Sequence, residues 1–102
     1  MTSLSRHTAD LDRLIHEPAR LTIMALLSAA DEADFLYLLR ESGLTKGNLG
    51  SHLAKLEEAG YIEIEKEFIG KIPRTVCRLT PAGIGAFRAY RTKLRRIAAN
   101  LG

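Results

Sequence analysis

The 102-residue chain has one cysteine, no tryptophan, three prolines and no long apolar run. A single thiol, Cys77, excludes an internal disulfide and any multi-thiolate metal site, and it suits a reducing compartment. With no Trp and only three Phe and three Tyr, a core must be assembled from Leu, Ile and Ala. No segment reaches the roughly 18 apolar residues of a membrane helix. The opening Met-Thr-Ser-Leu-Ser-Arg-His lacks the apolar stretch of a signal peptide. A soluble, cytoplasmic protein with no membrane partner is expected. His7, His16 and His52 fall on different segments with no carboxylate or thiol at ligand spacing. Neither a metal, a cofactor nor a catalytic acid–base set is therefore expected, and the chain does not read as an enzyme.

Acid is also missing locally. Residues 81–102 carry five Lys/Arg and no Asp or Glu, whereas 31–44 carry four acids and one Arg. The net charge of +3 says little about nucleic acid, but this asymmetry predicts a basic and an acidic face on one small body.

The length fits a single domain, residues 1–102, with one modest core. Residues 1–9 are polar and expected to be flexible. Leu11, Leu14 and Ile15 share one face of a short helix predicted over 9–16. Pro18 suits the first turn of a second helix over 18–29, apolar around much of its circumference and hence central. The stretch 31–34 reads as a loop, with Asp34 capping a helix over 35–42 whose inner face is Phe35, Leu38 and Leu39. After Gly43-Leu44, Thr45 caps a helix from Lys46 to about Ala59, with Leu49, Leu53 and Leu56 as its apolar stripe. Gly60 ends it. Two short helices across a glycine-containing turn, 34–60, make a helix-turn-helix, a unit that lays its second helix in the DNA major groove.

The period then becomes two. Ile62 and Ile64 point one way and Glu63, Glu65 and Glu67 the other. A turn over Gly70–Pro73 leads back through Arg74–Thr80, with Thr75, Cys77 and Leu79 on one face. This hairpin, 61–80, reads as a wing. Thr80 and Pro81 start a final helix, 81–99, with the stripe Ile84, Phe87, Leu94, Ile97 and Leu101 and its gap filled by Tyr90 or Arg91. The fold class expected is mainly α with a β-hairpin wing, a winged helix-turn-helix. Its N- and C-terminal helices would form a homodimer interface through Leu11, Leu14, Ile15, Ile84, Phe87, Leu94 and Ile97.

Candidate DNA contacts follow from side-chain chemistry. Thr45, Lys46 and Asn48 open the recognition helix, and Ser51, His52 and Lys55 continue its polar face. Asn can bond bidentately to adenine, Lys to guanine or phosphate, and Ser and His to several acceptors. Lys71 at the wing tip and Arg74 just past it could reach phosphates, provided the Glu63/Glu65/Glu67 row looks away or pairs with Arg. Gly47 and Gly50 each cost about 1 kcal/mol relative to Ala inside a helix. They serve either close approach to DNA or close packing on the preceding helix. Arg88, Arg91, Lys93, Arg95 and Arg96 either touch DNA or solvate the outer face beside the dimer seam. Cys77 on an inward strand face reads as a small core residue rather than a redox sensor.

Pro18-Ala-Arg-Leu-Thr-Ile-Met, Leu44-Thr-Lys-Gly-Asn-Leu, Ser51-His-Leu-Ala-Lys-Leu-Glu-Glu-Ala-Gly-Tyr-Ile and Arg78-Leu-Thr-Pro-Ala-Gly resemble the MarR/ArsR-type winged-helix transcriptional regulators. The likeness covers roughly Leu11 to Ala89 and implies a small dimeric DNA-binding repressor or activator. The cysteine motif of metal-responsive ArsR proteins is absent, so metal sensing is not implied. A small-molecule effector is not indicated by any residue pattern. The alternative reading is a winged-helix module that binds protein and not specific DNA, favoured by the modest charge and the glutamate row.

Overall fold

The computed structural model describes residues 4–101. Its elements are α1 (Leu4–Ala9), α2 (Pro18–Ser28), β1 (Ala33–Asp34), α3 (Phe35–Ser42), α4 (Lys46–Glu58), β2 (Ile62–Ile69), β3 (Ile72–Leu79) and α5 (Pro81–Asn100). Side-chain caps decide where the longer helices begin. Asp34, Thr45 and Thr80 each accept from the amide three residues on, at Tyr37, Asn48 and Gly83. Glu17 caps α2, accepting from the amides of Ala19 and Arg20. α4 ends in a Schellman motif, with Tyr61 N donating to Leu56 O, Gly60 N to Glu57 O, and Gly60 at φ 80°.

The sheet is antiparallel, ordered β1-β3-β2, and the wing pairs from Ile62↔Leu79 to Ile69↔Ile72. Ile23, Met24 and Leu27 of α2 are buried with Leu38 of α3 and the leucine stripe of α4. Ile62 and Cys77 close the core from the sheet and Phe87 and Tyr90 from α5. Burial pushes the Cys77 thiol up to about 11, which suits an inert core residue.

Four expectations need correction. The helix over 9–16 does not form. The Asp12 carboxylate accepts from the amides of Leu14 (2.9 Å) and Ile15 (3.3 Å), a local bond that competes with helix and winds the segment into turns. The polar start is helical over Leu4–Ala9 and packs on α5; residues 1–3 of that expectation lie outside the described residues. The loop over 31–34 contributes β1, because Ala33 and Asp34 pair with Cys77 and Val76. The wing turn is only Gly70-Lys71, with Ile72 and Pro73 already in β3. Gly70 has φ 65°, as a type II′ hairpin turn requires at its first central position. Ile69↔Ile72 closes the turn, so the next pair, Phe68↔Pro73, is the one that exchanges no ladder bond with β2, and Pro73 loses nothing there.

Candidate nucleic-acid interface

The buried stripe of α4 fixes what the helix shows to solvent. Leu49, Leu53 and Leu56 are buried, so Lys46, Asn48, Ser51 and Lys55 stand exposed on the other side. Thr45 Oγ1 holds the first turn by accepting from Asn48 N at 3.2 Å. Gly43, left-handed at φ 70°, lets the chain leave α3 and enter α4 within three residues. His52 differs from the others. It is half-buried, and its Nδ1 faces Arg20 and Glu17 at the start of α2.

Gly47 and Gly50 are both exposed, and a Cβ built on either meets nothing within 4 Å. Packing on the preceding helix therefore does not explain them. Gly47→Ala and Gly50→Ala should each raise the stability of the free protein, by about 0.5–1 kcal/mol. Urea titration checks this, and a loss of stability in either variant would reveal a constraint internal to the protein.

The wing separates its two candidate cations. Lys71 occupies the exposed turn, whereas Arg74 is half-buried with Nε 3.5 Å from Asp34 and one terminal nitrogen 3.4 Å from Glu67. Arg74 thus braces the wing against β1. Arg78 gathers Glu32 (3.1 Å), Glu63 (3.7 Å) and Glu65 (3.0 Å). The glutamate row pairs with arginines of β3, and the acids on the β1 side share them. Lys66 adds a cation that no sequence motif marks. It is exposed and, like Lys71, has no ion pair among the described residues. The tip itself is apolar, with Phe68, Ile69 and Ile72 between 59% and 70% exposed, a feature periodicity could not place.

Residues 12–20, read as helix and break, tie three elements together. Asp12 accepts from the Tyr61 hydroxyl at 2.5 Å, which pushes that phenol up to about 12. His16 Nδ1 lies 2.8 Å from the Tyr90 hydroxyl. Partial burial pushes the Glu17 carboxyl up, but the amides of Ala19 and Arg20, with the neighbouring His52 ring and Arg20 guanidinium, outweigh it and leave it lowered. The Arg78-Leu-Thr-Pro-Ala-Gly stretch locks α5 to the same junction. Thr80 donates from Oγ1 to Gly60 O (2.6 Å) and from N to Tyr61 O (3.0 Å), and Gly83 sits directly against the Tyr61 backbone.

The expected dimer seam divides. Leu11, Ile15 and Phe87 are buried in the chain's own core and so are not free for a seam; Leu14 and Ile97 are partly buried against it. Ile84 (46%) and Leu94 (39%) remain exposed, as does Leu101. Tyr90, not Arg91, fills the inner gap, while the Arg91 guanidinium lies 5.2 Å over the Phe87 ring. Lys93 donates to Asp10 O at the end of α1 (2.9 Å). Among the described residues no His/Cys/Asp/Glu cluster could hold a metal, and no helix is long and apolar enough to cross a membrane.

Residues 19–98 match the family of winged helix DNA-binding domains. An uncharacterized protein of Methanocaldococcus jannaschii is 34% identical over 89 residues, 87% of this chain and 97% of that one. The solved structure of a transcriptional regulator homologue from Pyrococcus horikoshii is 30% identical, with a TM-score of 0.85 over 96% of this chain and 95% of that chain. A structure from Enterococcus faecalis assigned to the MarR family superposes with a TM-score of 0.75 at 22% identity, covering 99% and 90% of the two chains. Helix-turn-helix, paired wing and flanking helices agree with these matches, and the chain belongs to the winged helix DNA-binding domain family, with the fold of MarR-type transcriptional regulators.

Proposed function

We propose that the protein binds double-stranded DNA sequence-specifically as a homodimeric, cytoplasmic transcriptional regulator, the whole chain acting as one winged unit without an enzymatic step. The observation that carries this reading is the exposed row Lys46, Asn48, Ser51 and Lys55 over a buried leucine stripe, beside a wing tipped by Lys71. The N-terminal turn of α4, with Thr45, enters the major groove, and Lys71 neutralises a phosphate on the flank. Gly47 and Gly50, which no internal contact explains, let the helix backbone approach closer than a Cβ would allow.

The two wing cations supply the test. Lys71→Ala should weaken binding about equally across sequences and lower the slope of log K against log salt by about 0.9. Arg74→Ala should act on folding instead, because it removes the ion pairs with Asp34 and Glu67 that hold the wing to β1. Unchanged affinity and slope in Lys71→Ala would remove the wing from the interface. One observation favours the other reading, a protein-binding module: Leu36, Ile69, Ile72 and Pro73 line an exposed groove between α3 and the wing. Salt-dependent retardation of a nonspecific duplex separates the two, since a protein-binding module shows none.

A further inference from the structure

Arg20 is a basic residue close to the recognition helix, but its guanidinium is turned inward, with the side chain only 13% exposed. Nε donates to Leu14 O at 2.5 Å, and one terminal nitrogen lies 3.1 Å from His52 Nδ1 and 3.6 Å from Glu17 Oε2. A guanidinium has donors and no acceptor. The 3.1 Å contact is a hydrogen bond only if His52 Nδ1 accepts. The ring proton must then sit on the other nitrogen, Nε2.

We propose that Arg20 is a specificity-determining positioning residue: by donating to Nδ1 it fixes His52 as the Nε2–H tautomer, so that the recognition helix offers nucleic acid a donor at that point and no acceptor. The role in recognition rests on the DNA-binding reading above; the tautomer does not. His52 retains 20% side-chain exposure on α4, beside the exposed Asn48 and Lys55 on neighbouring turns. An N–H there pairs with guanine O6 or N7, adenine N7, thymine O4 or a phosphate oxygen. Against the amino group of cytosine it would be left unpaired. Glu17 makes the arrangement switchable. Its Oε2 is 3.7 Å from Nδ1, so without Arg20 the carboxylate would draw a proton onto Nδ1. One arginine outside the helix-turn-helix thereby sets the polarity of a side chain inside it.

The test begins on the free protein, with nitrogen–proton correlation spectra of the imidazole rings at neutral pH. His52 should show a bare Nδ1 and a protonated Nε2. In Arg20→Met the proton should move to Nδ1, as the Nδ1–H tautomer bonded to Glu17 or as imidazolium. In Arg20→Met, Glu17→Gln that transfer should be lost. A wild-type ring protonated on Nδ1, or an Arg20→Met spectrum unchanged from wild type, overturns the assignment; the wild-type spectrum decides even if the variant folds poorly. The second arm is selection of bound duplexes. Arg20→Met should relax preference at one base position per half-site by about ten-fold while leaving the salt slope unchanged. A uniform loss at every position, or none, overturns the role in recognition. If the spectra come out as stated but neither protein retards any duplex, the DNA-binding reading fails and Arg20 keeps only its hold on the ring.

Discussion

Gly83→Ala is expected to destabilise the free protein by about 3 kcal/mol or more, the range of severe overpacking. Intrinsic propensity points the other way, since Ala is favoured over Gly in a helix by about 1 kcal/mol. Geometry decides the sign. A Cβ on Gly83 would overlap the carbonyl oxygen of Tyr61, with the carbonyl carbon 2.9 Å and the Cα 3.1 Å away. Neither backbone can retreat cheaply. Tyr61 O accepts from Thr80 N, Tyr61 N is bound in the Schellman turn of α4, and Gly83 N is held by the Thr80 cap. Gly85, two residues on, has nothing within 4 Å, so Gly85→Ala is the internal control and should be neutral or slightly stabilising. Urea unfolding of both variants measures the contrast. A Gly83→Ala protein as stable as wild type would mean that α5 does not seat against the α4–β2 junction.

The other large effect concerns assembly. The Ile84→Glu, Leu94→Glu variant should sediment as a monomer at tens of micromolar and keep its helical circular dichroism. It should bind a two-half-site operator about 100-fold more weakly, because linked half-sites multiply affinity only when one particle holds both recognition helices. Ile84 and Leu94 are exposed, so charge there leaves the core intact; Ile97 packs partly against the core, and charge there would confuse assembly with folding. α5 has 20 residues, about 30 Å of helix, and its apolar stripe is only partly covered: Phe87 and Tyr90 are buried and Ile97 packs partly against the core, while Leu94 and Leu101, at intervals of seven from Phe87, are exposed. A two-fold pair joined there would set its recognition helices about 34 Å apart, or a multiple, on an imperfect palindrome. Wild-type protein that sediments as a monomer at the same concentration would end the dimer proposal.

Features that depend on a few neighbouring residues were legible in the chain alone. Asp34, Thr45 and Thr80 mark helix starts because a cap needs only its own side chain and an amide three residues on. Leu49, Leu53 and Leu56 mark the inner face of α4 for the same local reason, and the polar residues left over define the candidate interface. Features that depend on distant partners emerged only once the chain was folded. Asp12 turned a helical pattern into a turn, holding local amides with one oxygen and Tyr61, 49 residues away, with the other. Ala33 and Asp34 became a strand because β3 supplied the ladder. Arg74 and Lys71 look alike in sequence, yet hairpin register sets Arg74 opposite Glu67, and β1 brings Asp34 beside it. The apolar stripe of α5 was legible, but which of its members face the core was not, because periodicity gives a face and only the placement of α1 and the sheet says how far along the helix that face is covered.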